Sequence, residues 1–321
     1  MKKVTALGLL LATLTLSLLF YLYLPFIQSV GAGLSNQSSS ALVITRVNVT
    51  NSPPFVSNLS ITTPVNLAPN SSVNLTCNAT VLDYNNWSDI KQVNFSFFSS
   101  NLSSSEFANT NRSHYDLFNC TSSEELSPYE RRYNCWAVVN YNAFFDNWTC
   151  NITAVDVAGL QNTKKITTTV NDLISFFVPD ELNFGDVPVT NTSANFHLNM
   201  TNFGNQPLNY SAYAYAATEN DSAVMLCQFG NITIGNMKFT VNQSNISSLI
   251  DFDNELTQVN NSNATRSSLG VVTYPYNETL SNPINGSTWR LRVPLGPAGT
   301  PAGLCNGSLI ITAFKAFNSV A

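Results

Sequence analysis

The chain has 321 residues, 44% of them hydrophobic and only 10% charged, with a formal net charge of −5. So few charges exclude a basic nucleic-acid surface and a polybasic membrane-surface helix. The length allows a targeting element and about two domains, and the water-facing surface must be built from neutral polar side chains, mostly Asn, Ser and Thr.

Residues 1–28 open with Lys2 and Lys3 and continue through an uncharged, nearly all apolar run. That run exceeds the ~7–15 residues of a signal-peptide core and approaches the ~20 needed to span a bilayer. Tyr21, Tyr23 and Phe26 cluster where an outer membrane interface would lie. The segment predicts an N-terminal hydrophobic helix acting as a signal-anchor, with its N-terminus in the cytoplasm. Small residues at Ser29 and Gly31 keep a cleavable signal peptide open, in which case the protein is secreted. Residues 29–42 form a Gly/Ser/Asn-rich linker of the flexible kind.

Residues 43–172 predict a first all-β domain, with strand candidates at 43–49, 56–61, 72–82, 90–98, 132–141, 147–155 and 164–170. In two of them the alternation is clear. Val73, Leu75, Cys77, Ala79 and Val81 point one way while Asn74, Thr76, Asn78 and Thr80 point the other. Trp148, Cys150, Ile152 and Ala154 likewise oppose Asn147, Thr149, Asn151 and Thr153. About seven strands, no helical periodicity and inward cysteines on two non-adjacent strands describe an immunoglobulin-like β-sandwich. Residues 173–321 predict a second β-sandwich. Its strand candidates are 194–203, with Phe196, Leu198 and Met200 inward and Asn199 outward, then 208–216, 287–294 and 308–314, the last two joined by a Gly/Pro loop. Residues 251–266 read as a polar, weakly structured loop.

The six cysteines form an even set with no C-x-x-C and no zinc spacing. In an exported chain they read as three disulfides. Of fifteen pairings, strand placement selects Cys77–Cys150 across the sheets. Cys120–Cys135 and Cys227–Cys305 follow by elimination. The chain also holds 25 N-x-[ST] sequons. Random placement of its 43 Asn and 66 Ser plus Thr would give about 9. The excess points to N-glycosylation, with Asn74, Asn78, Asn94, Asn147, Asn151, Asn199 and Asn209 on the outward positions of strands.

Several stretches are similar to known modules. Thr80-Val81-Leu82-Asp83-Tyr84-Asn85, then Asp89-Ile90 with Val93, and Thr153-Ala154-Val155-Asp156-Val157-Ala158-Gly159-Leu160 resemble the immunoglobulin-like, polycystic-kidney-disease-type modules of prokaryotic, especially archaeal, cell-surface glycoproteins. Leu182-Asn183-Phe184-Gly185-Asp186-Val187, residues 201–209, and Val293-Pro294 with Ala298-Gly299-Thr300 resemble another envelope module of that broad class. The resemblance implies a β-sandwich outside the cell and leaves adhesion, spacing and envelope assembly equally open.

One constellation bears on chemistry. Asp83, Asn85 and Asp89 follow the first cysteine strand, and Asp156 ends the second. In an immunoglobulin-like sandwich these loops emerge at one end, so four oxygen-bearing side chains could converge. Oxygen ligands suit a structural Ca²⁺. The competing explanation is that Asp and Asn simply cap turns through their own backbone. No cofactor motif, phosphate loop or nucleophile elbow is present. His114 beside Tyr115 and Asp116 reads as a surface loop histidine, and Glu124, Glu125, Glu130, Arg131 and Arg132 as a solvated charged loop. Trp87 is the tryptophan placed in a loop, open to a sugar.

The chain therefore reads as a non-enzymatic, N-glycosylated, disulfide-stabilised cell-surface protein with a structural or adhesive role in the cell envelope. Its expected partners are the membrane, through the N-terminal helix, and other envelope proteins or glycans. The alternative is a secreted carbohydrate-binding or accessory subunit of an extracellular complex.

Overall fold

The structure is a computed structural model that describes residues 41–101, 112–241, 251–276, 283–296 and 300–316. The expected helix over residues 1–28, and most of the linker, lie outside the described residues. No helix among the described residues is long and apolar enough to cross a membrane. Residues 51–321 form one compact unit, and residues 41–50 belong to a separate one.

Eight strands make the first half of the compact unit: β1 (Phe55–Ile61), β2 (Ser72–Leu82), β3 (Ile90–Ser99), β4 (His114–Asn119), β5 (Thr121–Ser127), β6 (Glu130–Asn140), β7 (Asp146–Asp156) and β8 (Gln161–Val170). They form two four-stranded antiparallel sheets, ordered β1-β2-β6-β5 and β4-β3-β7-β8. With the strands lettered in chain order and β4 taken as the extra edge strand, this is the A-B-E-D and C′-C-F-G order of an immunoglobulin sandwich. Alternation decides which residues meet between the sheets. Leu75, Cys77, Ala79 and Val81 of β2 are buried, as are Phe95 and Phe97 of β3 and Trp148, Cys150, Ile152 and Ala154 of β7. Cys77 and Cys150 are joined across the two sheets. Phe97 stacks on Trp148 with ring centroids 4.7 Å apart. The fully buried Trp148 indole keeps its polar atom satisfied by donating from Nε1 to the Phe144 carbonyl at 2.8 Å.

Three sequence expectations for residues 43–172 need correction. Residues 43–49 are not a strand: they lie outside any ladder, and Val43, Ile44, Val47 and Val49 are exposed. Their β-branched alternation has no partner backbone among the described residues, and a lone strand cannot satisfy its amides. The charged stretch around Glu124 and Arg132 is not a loop but the β5–β6 hairpin, with an ion pair between those two side chains. β5 is polar on both faces, so it carries no alternation to betray it. His114 is not at the surface: it is 2% exposed on β4, its ring against Phe98.

The second half contains β9 (Phe176–Phe177), β10 (Phe196–Asn202), β11 (Leu208–Tyr215), β12 (Ala223–Phe229), β13 (Asn231–Thr233), β14 (Met237–Val241), β15 (Thr257–Gln258), β16 (Ser267–Thr273), β17 (Ile284–Leu291), β18 (Ala302–Asn306) and β19 (Ser308–Lys315). They make sheets ordered β15-β14-β17-β10-β9, β16-β11-β19 and β13-β12-β18. A second core gathers Met200, Leu208, Tyr210, Phe239, Leu269 and Trp289. Cys227 and Cys305 face each other on β12 and β18 and are bonded. The last two expected strands, β17 and β19, are not neighbours; they belong to different sheets, and β18 lies between them in the chain. Residues 251–266 are also ordered, not a weak loop. Phe252, Leu256 and Val259 are buried, and Asn261 donates to the Ala214 and Ala223 carbonyls. Apolar anchors spaced three to four apart let a polar segment pack.

Asn205 links the two cores. It is 1% exposed, accepts from the Leu173 amide at 2.7 Å and donates to the Ala143 and Asn171 carbonyls. Neighbouring Gly204 has to be glycine, since a Cβ there would sit 2.2 Å from the Leu173 carbonyl oxygen.

Two outcomes follow for stability. Replacing Cys77 and Cys150 together by alanine should cost about 2–5 kcal/mol, read as a lower denaturant midpoint. Asp221 closes the turn before β12. Desolvation pushes its carboxyl up, but hydrogen bonds from the Ala217, Ala223 and Thr218 amides and from Asn261 outweigh this and hold it at about 2. A carboxylate whose folded pKa lies below its unfolded value contributes stability at higher pH, and that contribution fades as pH falls towards the folded value. Asp221→Ala should therefore destabilise by about 1 kcal/mol at pH 7. The gap to wild type should close between pH 4 and pH 2 in acid-unfolding curves.

Candidate metal centre

β2 and β7 run the same way along opposite sheets and are tied at Cys77 and Cys150. Asp83 lies six residues beyond the first cysteine and Asp156 six beyond the second. An even offset keeps both side chains on the inward side of their strands, and an equal offset brings them to the same level at one end of the sandwich. Both are fully buried. Asp89 arrives by a separate route. It ends the 3-10 turn Trp87–Asp89, just before β3 pairs Ile90 with Asp156, and its carbonyl accepts from the Val157 amide at 2.8 Å. One carboxylate oxygen from each of Asp83, Asp89 and Asp156 lies within 4.8 Å of the other two.

The loop that carries Asp83 and Asp89 is pinned from beneath. The Asp83 amide donates to the Tyr129 carbonyl and the Trp87 amide to the Pro128 carbonyl, both in the β5–β6 turn. Asn86 adopts a positive φ of 118° and caps the 3-10 turn by accepting from the Ser88 amide. Trp87 is not a free platform: the Arg131 guanidinium lies 3.8 Å from the centre of its ring.

Two of the cluster's six carboxylate oxygens serve the turns. Asp83 Oδ1 accepts from the Asn85 amide at 2.8 Å, and Asp156 Oδ1 from the Leu160 amide at 2.7 Å. Asp156 Oδ2 accepts from the Asn51 side chain at 2.8 Å. Asp83 Oδ2 is buried with no hydrogen-bond partner among the described residues. Burial pushes the Asp83 carboxyl up, the Asn85 amide partly offsets this, and Asp89 and Asp156 push it up further. None of the three carboxylates forms an ion pair with a lysine or arginine among the described residues. Two unit charges this close repel by about 3 kcal/mol in a medium of effective dielectric about 20. The arrangement therefore suits a hard cation with oxygen ligands. Asn85, the fourth expected ligand, turns its side-chain oxygen to Ser52, accepting from that residue's amide and hydroxyl at 3.1 and 3.2 Å.

The other candidate positions are dispersed. Cys120 and Cys135 are bonded to each other. Asn74, Asn147, Asn199 and Asn209 are exposed; Asn78, Asn94 and Asn151 are half-buried on the outward side of their strands.

No protein-family model matches the chain, and no curated protein matches its sequence. The solved structures that are similar in part include three from bacterial surface proteins and their complexes. The chaperone–tip adhesion subunit pre-assembly complex of Acinetobacter baumannii Csu pili has 10% identity and a TM-score of 0.37, covering 80% of this chain and 99% of that one. A chaperone–tip adhesin complex of CFA/I fimbriae has 10% identity and a TM-score of 0.29, covering 84% and 92%. The C-terminal domain of the Streptococcus agalactiae AgI/II polypeptide BspA has 11% identity and a TM-score of 0.22, covering 81% and 97%. Scores this low carry no argument about ligand, partner or role.

Asp156→Ala removes the acceptor for both the Leu160 amide and Asn51. Unfolding free energy should fall by about 1–3 kcal/mol, with faster hydrogen exchange at the Leu160 amide than at amides in the middle of β7.

Proposed function

We propose that the protein is a non-enzymatic, N-glycosylated component of the cell envelope that projects its β-sandwiches outward in a structural or adhesive role. The observation that supports this best is the cysteine count: all six are paired in three disulfides and none is free. Such cross-linking belongs to oxidising, extracytoplasmic compartments. The sequons fit the same setting. Asn74 and Asn78 stand on the outer side of one sheet and Asn147 and Asn151 on that of the other, so glycans there would cover both broad faces and leave the sandwich ends open. With so few charges, those glycans would supply much of the hydration that charged side chains usually provide. Attachment would run through residues 1–28, and the partners would be other envelope proteins or glycans.

Mass spectrometry of the native protein tests this reading. Glycopeptides should appear at Asn74 and Asn147, three intact disulfides should be found, and the protein should fractionate with isolated envelopes. Free thiols and unmodified sequons throughout would refute it.

A further inference from the structure

We propose that Asp83, Asp89 and Asp156 bind one Ca²⁺ ion at the end of the first sandwich. Two independent observations lead there. The first is the convergence itself, with a carboxylate oxygen from each residue within 4.8 Å of the others. That spacing matches oxygens around a single Ca²⁺, whose ligands lie about 2.3–2.6 Å from the metal. The second is Asp83, wholly buried, with Oδ2 left without a hydrogen-bond partner among the described residues. A buried carboxylate oxygen with no donor is costly unless a cation meets it. No lysine or arginine forms an ion pair with it among the described residues, and Arg131 is stacked on Trp87.

The donor set selects the metal. All three ligands are carboxylates, with no cysteine or histidine among them, which disfavours zinc and the softer transition metals. They come from a strand end, a 3-10 turn and a second strand end, an irregular frame. Ca²⁺ accepts six to eight oxygens in flexible geometry, whereas Mg²⁺ demands a near-ideal octahedron and parts with its waters reluctantly. Backbone carbonyls and water would complete the shell. The ion has a structural consequence as well. Asn51 rests on Asp156 and Ser52 on Asn85, so fixing Asp156 also fixes the residues through which the chain enters β1. This site stands or falls independently of glycosylation and of the envelope role.

The test uses the full chain, stripped with EDTA, titrated with CaCl₂ by calorimetry and followed by thermal unfolding. One ion per chain should bind, and Tm should rise by about 5–10 °C at a hundredfold excess over Kd. Asp89→Asn removes the charge of the half-buried ligand and should weaken calcium binding at least about tenfold, while the metal-free Tm should not fall, because the substitution relieves carboxylate repulsion. Asp83→Asn keeps the acceptor for the Asn85 amide and should also lose the calcium response; if that variant does not fold, Asp89→Asn decides. No uptake by the wild-type chain would overturn the proposal, as would undiminished uptake by the folded variants. Equal affinity for MgCl₂ in a parallel titration would overturn the assignment to calcium.

Discussion

Cys77–Cys150 is the constraint from which the first sandwich can be reconstructed. The bridge passes between the sheets beside Trp148 and Phe97, so it sets which residues of β2 and β7 lie at the same height. Once that height is fixed, alternation does the rest. Every second residue from each cysteine enters the core, and the intervening ones face outward. Three alternations further on, both strands deliver an aspartate to the inter-sheet space. Had either aspartate fallen one residue earlier or later, it would have pointed at solvent and caused no difficulty.

The same periodicity separates two chemistries. Outward positions carry asparagines in sequons, neutral and able to hold a glycan without charging the surface. Inward positions carry apolar side chains until the strands run out. In a chain with only 19 acidic residues, placing two of them fully buried at one end, with a third beside them, runs against the economy of charge seen elsewhere. Asp221 shows how this fold treats a lone acidic side chain: three amides and an asparagine side chain supply donors to its carboxylate. Asp83 receives one amide and has an oxygen left over.

How much of this could be read from sequence follows from where the periodic signal is strong. β2, β3, β7 and β8 alternate cleanly or run β-branched. The arrangement of cysteines over β2 and β7 implied opposite sheets. β5 was illegible because it is polar on both faces, an edge strand recognisable only by its pairing with β6. β12 to β16 are short or interrupted by bulges, and their order depends on contacts distant in the chain. Residues 43–49 show the reverse error, a strand-like pattern with no pairing strand among the described residues. At the site, the loops bearing Asp83, Asp89 and Asp156 could be placed at one end from strand order alone. The depth of Asp83 and the diversion of Asn85 to Ser52 could not, because both depend on the path of residues 51–52 and on the β5–β6 turn beneath.

Turn-capping and metal binding need not compete for these aspartates, because each carboxylate has two oxygens. Capping accounts for Asp83 Oδ1 and Asp156 Oδ1, a task that an asparagine oxygen could serve as well. It does not account for the proximity of three negative groups. A proton shared between Asp83 and a neighbour would remove one charge of three and leave the other two repelling. A divalent cation offsets two charges and gives the orphaned Oδ2 a partner in the same step. The capping bonds would then hold the carboxylates oriented before the ion arrives, which lowers the ordering cost of binding. The turns and the ion are in that sense parts of one device for closing the sandwich end.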